Sequence, residues 1–70
     1  MEWKWELEDI SGDCFDRETG ILQIALALAE LEFDAEPASV KPAIEYVKLA
    51  EKLVREGRRA KITVRGGNVA

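Results

Sequence analysis

Along the first ten residues, Trp3, Trp5 and Leu7 alternate with Glu2, Lys4, Glu6 and Glu8. A period of two gives one apolar and one solvated face, so the pattern predicts a strand over 2–15, interrupted at Ser11-Gly12. Asp16-Arg17-Glu18-Thr19-Gly20 then reads as a hairpin loop. Asp16 can accept from amides just ahead of it, and Gly20 can take a positive φ. Residues 21–35 carry two signals. Their Leu, Ala and Glu content favours helix, but Ile24-Ala25-Leu26-Ala27-Leu28 alternates large with small and Glu30-Leu31-Glu32-Phe33-Asp34 alternates polar with apolar. A helix here would be apolar on every side except at Gln23. With the loop before it, the segment is predicted to be a second strand over 21–35, helix being the alternative.

Register sharpens that expectation. Uninterrupted pairing from the loop would set Trp5 opposite Glu32 and Trp3 opposite Asp34. One extra residue in a bulge at 11–12 instead brings Trp3 to Phe33, Trp5 to Leu31 and Lys4 to Glu32, and a bulge is therefore predicted there. Pro37 ends this hairpin, and Ser39 can cap a helix over 40–56 that stops at Gly57. Its apolar stripe is Val40, Ala43, Val47, Ala50 and Val54, widened by Tyr46 and Leu49. Residues 60–65 form a short third strand, and 66–70 a frayed tail. The fold class is α+β: one domain over 1–70 built as a long bulged β-hairpin, one α-helix packed on it and a short third strand, in the order ββαβ.

Such a hairpin would have apolar residues on both faces, and one helix can cover only one of them. Ile10, Phe15, Leu22, Ile24, Leu26 and Leu28 lie on the other, and Tyr46 and Leu49 extend the apolar arc of the helix. These eight residues are the candidate oligomer interface, because a large exposed apolar patch on a small protein marks an interaction site. Size points the same way. Seventy residues give a marginal core, and the single Cys14 cannot form an internal disulfide. A homodimer is expected, sheet packed on sheet, with a further protein partner as the other possibility. The start of the chain lacks the apolar segment of a signal peptide, and no apolar run has the roughly 20 residues of a membrane span. A cytoplasmic protein without a membrane partner is expected.

Charge adds a division that the net value of −4 hides. Residues 1–36 hold eleven acids against Lys4 and Arg17, whereas residues 37–70 hold eight bases against Glu45, Glu51 and Glu56. The concentrated basic feature is Arg55, Arg58, Arg59, Lys61 and Arg65, which could meet phosphates where the helix ends. No aromatic interleaves with them for base stacking, and bases at a helix C-terminus also complement its dipole. Ahead of a nucleic-acid partner, the expected role of the division is that the two halves neutralise each other within the fold or across a dimer.

Candidate chemistry is sparse. The absence of histidine removes the usual general base and the commonest metal ligand. Cys14 stands beside Asp13 and Asp16, and acidic neighbours raise a thiol's pKa, the opposite of what a nucleophile needs. Asp9, Asp13, Asp16 and Glu18 lack the glycine placement and terminal glutamate of a calcium loop. No catalytic residue, metal site or cofactor is expected. The sequence reads as a non-catalytic protein-interaction or oligomerisation module, of an adaptor, inhibitor or antitoxin-like kind, acting through an apolar hairpin face and an acidic surface. The alternatives are nucleic-acid binding through the basic corner and a designed scaffold without biological function. The capped helix and missing histidine resemble design practice, against which stand Cys14 and the doubly apolar hairpin.

Overall fold

The computed structural model describes residues 3–64. Strands β1 (Trp3–Leu7) and β2 (Ile10–Cys14) precede helix α1 (Arg17–Ala35), and a short 3-10 turn (Pro37–Ser39) leads to helix α2 (Ala43–Glu56) and strand β3 (Ala60–Val64). The strands make one antiparallel sheet in the order β2-β1-β3. The α+β class, the hairpin and the packed helix are as expected. Glu2, Arg65 and the predicted tail 66–70 lie outside the described residues.

The alternation in β1 does what the sequence implied. Trp3, Trp5 and Leu7 pair with Cys14, Gly12 and Ile10 on one side and with Val64, Ile62 and Ala60 on the other. Directly paired residues share a face, so these nine form the side on which α1 lies. Leu7 and Ala60 are fully buried there. The opposite face is polar throughout, carrying Lys4, Glu6, Ser11, Asp13, Lys61 and Thr63. Lys4 stands across from Asp13, and Glu6 across from Lys61.

The hairpin itself corrects the expected one. It turns at Glu8-Asp9, not at 16–20, and its second strand is Ile10–Cys14. Glu8 takes a left-handed φ of 54°, a conformation in which Asn or Gly is the usual occupant of a two-residue turn. The turn is held from β3's side: Glu8 N donates to the Arg59 carbonyl at 2.9 Å, and Arg59 Nε donates to Glu8 Oε2 at 3.0 Å. The predicted bulge at 11–12 is absent, because the β1–β2 ladder runs without a break and sets Gly12 directly opposite Trp5. Glycine serves a different need there. A Cβ on Gly12 would lie 2.7 Å from Trp5 Nε1 and 2.9 Å from its Cε2, so the indole lies across the bare backbone.

Residues 21–35 are helix, which overturns the predicted second strand. Three local causes agree. Asp16 is the N-cap, its Oδ1 accepting from Thr19 N at 2.8 Å. Glu18 sits in the first turn, where a negative charge meets the positive end of the dipole. The Ala, Leu, Gln and Glu content supplies propensity. The apolar character on every side, which argued against a helix, has a tertiary reason. One side of α1 packs on the sheet and the next on α2, burying Ile21, Ile24, Ala25, Ala27 and Leu28. Gly20 belongs to this packing and not to a loop. It is helical, and a Cβ there would stand 3.0 Å from Cys14 Sγ and from Ile62 Cδ1.

Helix α2 starts three residues later than predicted, at Ala43. Ser39 does not cap it; its Oγ donates to Glu36 Oε1 at 3.0 Å, and Pro42 takes the N-cap position without a side-chain bond. The other end is as expected. Gly57 takes φ 64°, and its N–H donates to the Leu53 and Val54 carbonyls at 2.9 and 3.2 Å.

Candidate functional site

Because residues 21–35 are helical, the candidate interface is redistributed. In a strand Leu22, Ile24, Leu26 and Leu28 share a face; in a helix each step of two turns about 200°. Ile24 is fully buried, and Leu28 and Tyr46 are nearly so, all three inside the core of a single chain. They are not interface residues. Leu22, Leu26, Ile10, Phe15 and Leu49 are exposed. The apolar face expected on the sheet does not exist, its outer side being polar, so the sheet-on-sheet packing loses its basis.

The surplus apolar surface lies on the outer side of α1. Leu22, Leu26, Ala29 and Phe33 follow one another at steps of four, three and four residues, the spacing of a helical seam. Leu26 is 61% exposed and Phe33 58%, unusual values for residues that repay burial by about 1.5–3 kcal/mol each. Two depressions flank this stripe. Between α1 and the sheet lies an open groove of about 940 Å³, walled by Trp5, Ile10, Leu26, Leu31 and Phe33 and bordered by Gln23, Glu30 and Asp34. Between α1 and α2 a cleft of about 280 Å³ is lined by Leu22, Ala25, Leu26, Ala29, Ala43 and Val47 and closed below by Tyr46. Leu26 and Ala29 line both, so the two join into one patch. Sequence reasoning missed Leu31, Phe33 and Val40, which it assigned to covered positions. For Phe33 the signal was present in the 22/26/29/33 spacing.

The end of α1 is tied to the start of α2 by one polar cluster. Tyr46 Oη donates to Glu32 Oε1 at 2.7 Å and accepts from Lys41 N at 3.0 Å, while Lys41 Nζ reaches both Glu32 oxygens at 3.3 Å. The Tyr46 hydrogen bond, with Lys41 behind it, holds the Glu32 carboxyl below its ordinary range. Glu32 raises Lys41 in return, and burial raises Tyr46, keeping it a proton donor. The Asp16 cap is lowered in the same way by its bonds to Thr19. Both acids therefore stabilise the fold fully above the unfolded carboxylate values of about 4, and that contribution is lost as pH falls through their lower folded values. The thermal midpoint is expected to drop as pH falls below about 4, and less steeply for Glu32→Gln. Equal slopes by circular dichroism would remove Glu32 from this account.

The basic corner is answered in part within the chain. Arg58, Arg59 and Lys61 share a shallow cleft with Glu6 and Glu8. Arg59 is paired with Glu8, each side chain about half exposed, and Lys61 faces Glu6 across the sheet. Arg55 is exposed on α2, and Arg65 lies outside the described residues. Cys14 is buried at 2% exposure, and its thiol is pushed up first by that burial and then by Asp16 and Asp13, which disfavours the reactive thiolate. Among the described residues no group of three or more Cys, Asp or Glu could hold a metal ion, and no helix is long and apolar enough to cross a membrane. No protein-family model, no curated protein and no solved structure matches this chain.

Proposed function

We propose that this chain is a non-catalytic protein-interaction module whose working surface is the outer side of α1. The observation that carries the reading is the stripe of exposed Leu22, Leu26 and Phe33, with the half-buried Ala29 between them and grooves on both flanks. Contiguous apolar surface of this kind on a small domain marks an interaction site, and an amphipathic stripe beside a groove suits a helical partner. The buried thiol of Cys14, raised first by that burial, disfavours nucleophilic catalysis there. Nucleic-acid binding through Arg55, Arg58, Arg59 and Lys61 has weaker support, since Glu6 and Glu8 share that corner and like-charged carboxylates repel phosphates.

A photo-reactive amino acid placed at residue 26, and separately at residue 11 on the polar sheet face, tests the reading in the producing cell. Covalent protein adducts are expected at position 26 and not at position 11. Equal yields at the two positions, or none at 26, would sink it.

A second reading of the same surface is a homodimer, favoured by the seam-like spacing on α1 and by the small core. It predicts a mass of two chains by light scattering for the wild type and of one chain for Leu26→Glu. An oligomer that survives Leu26→Glu rules out this face as its interface.

A further inference from the structure

The acids in the C-terminal turns of α1 are placed where they disfavour the isolated helix. The last carbonyls of a helix carry partial negative charge, so anions are unfavourable there and cations favourable. Yet the final turns of α1 hold Glu30, Glu32 and Asp34, with Glu36 as the C-cap and no base in the last turn. Lys41 answers Glu32. Glu30 and Asp34 instead point to the open groove, where they border Trp5, Leu26 and Phe33, and among the described residues no lysine or arginine lines it. An apolar floor, an acidic border and the negative end of a helix dipole thus converge on one surface.

On the reading that this face is an interface, we propose that its occupant is an amphipathic helix of another protein whose apolar stripe is flanked by lysine or arginine. The apolar side of that helix covers Leu26, Phe33 and the exposed part of Trp5, which removes hydrocarbon from water. Its cations meet Glu30, Asp34 and the terminal carbonyls of α1, and so relieve the unfavourable charge distribution within α1 itself. A second copy is a poorer occupant. It sets the same acidic border near itself in a chain whose net charge is −4, and like charges across an interface cost affinity.

Two synthetic amphipathic helices with identical apolar positions test this, one with lysine and the other with glutamate at the polar positions. The lysine helix is expected to bind and to shift Trp5 emission to the blue, with affinity falling as salt rises. The affinity should drop about tenfold in the double variant Glu30→Gln/Asp34→Asn, be abolished in Leu26→Glu, and be unchanged in Glu51→Gln on α2. The acid-to-amide changes remove unfavourable charge, so a variant melting no lower than the wild type shows that the loss is not unfolding. Equal binding of both helices, or binding indifferent to Glu30 and Asp34, overturns the proposal. So does failure of both helices to bind a protein that light scattering finds dimeric and Leu26→Glu dissociates, an outcome that leaves the interaction surface standing. Failure of both helices together with a monomer that gives no adduct at position 26 removes the surface as well.

Discussion

Ile24→Ala is expected to cost about 2–5 kcal/mol, whereas Leu26→Ala, two residues away, should stay within about 0.5 kcal/mol of the wild type. Ile24 is fully buried among Leu7, Leu28, Tyr46 and Ala50, and Leu26 is 61% exposed. Truncating Ile24 forfeits its transfer free energy and leaves a cavity that the sheet on one side and α2 on the other cannot both close. A domain of this length has roughly 4–10 kcal/mol of total stability, so the variant loses a large share of it, and at the low end of that range is unfolded at room temperature. Urea denaturation of the two variants side by side is the measurement. The contrast also decides the conformation of the segment. In a strand the two positions share a face and would respond alike, and equal losses would refute the helix.

Gly12→Val is the second large effect. Valine in place of a strand glycine should gain up to about 1 kcal/mol from strand preference. Here the gain is overridden, because even the Cβ falls 2.7 Å from Trp5 Nε1, and the indole is a rigid ring that cannot yield by a small rotation. Overpacking of this kind costs about 1–3 kcal/mol, and the two methyls of β-branched valine put it at the upper end. Trp5 is half-buried, so the cheapest response is for the ring to swing toward water, which red-shifts its emission. In a Trp5→Ala background the same valine is expected to be neutral or stabilising. That sign reversal in a double-mutant cycle isolates the pair. A Gly12→Val protein as stable as the wild type, with unchanged emission, would mean that the indole does not need the bare backbone.

What the sequence revealed followed the reach of each signal. The period-two alternation of Trp3, Trp5 and Leu7 was strong and local, and it placed both β1 and its inner face. Gly57 and the short run Ala60–Val64 were equally legible, since a left-handed cap and a β-branched stretch need no knowledge of the rest of the chain. Residues 21–35 were misread because their pattern is set by tertiary context. A helix covered on two adjacent sides and apolar on a third shows little 3.6-residue contrast, while alanines between leucines imitate strand alternation. Asp16 was correctly seen as an acceptor for amides ahead of it, but that chemistry serves an N-cap as well as a turn. From this one error came the misplaced loop, the bulge invented to repair the register, and the burial of Ile24, Leu28 and Tyr46 where an interface was expected. The surplus of apolar surface itself was legible from composition and pattern; its location needed the fold.

The sheet order β2-β1-β3 carries a consequence for how the molecule is made. The central strand is synthesised first, its hairpin partner follows at once, and its other neighbour arrives only after both helices; Glu8 and Arg59, which close that side, are 51 residues apart. Until Ala60–Val64 leave the ribosome, one edge of β1 offers unpaired backbone groups and Leu7 lacks the cover of Ala60. A nascent chain in that state accepts any suitable strand, including the β3 of a neighbouring copy on the same message. Chains emerging close together on a crowded polysome are therefore expected to exchange β3, and sparser loading of the message with ribosomes to favour closure within each chain.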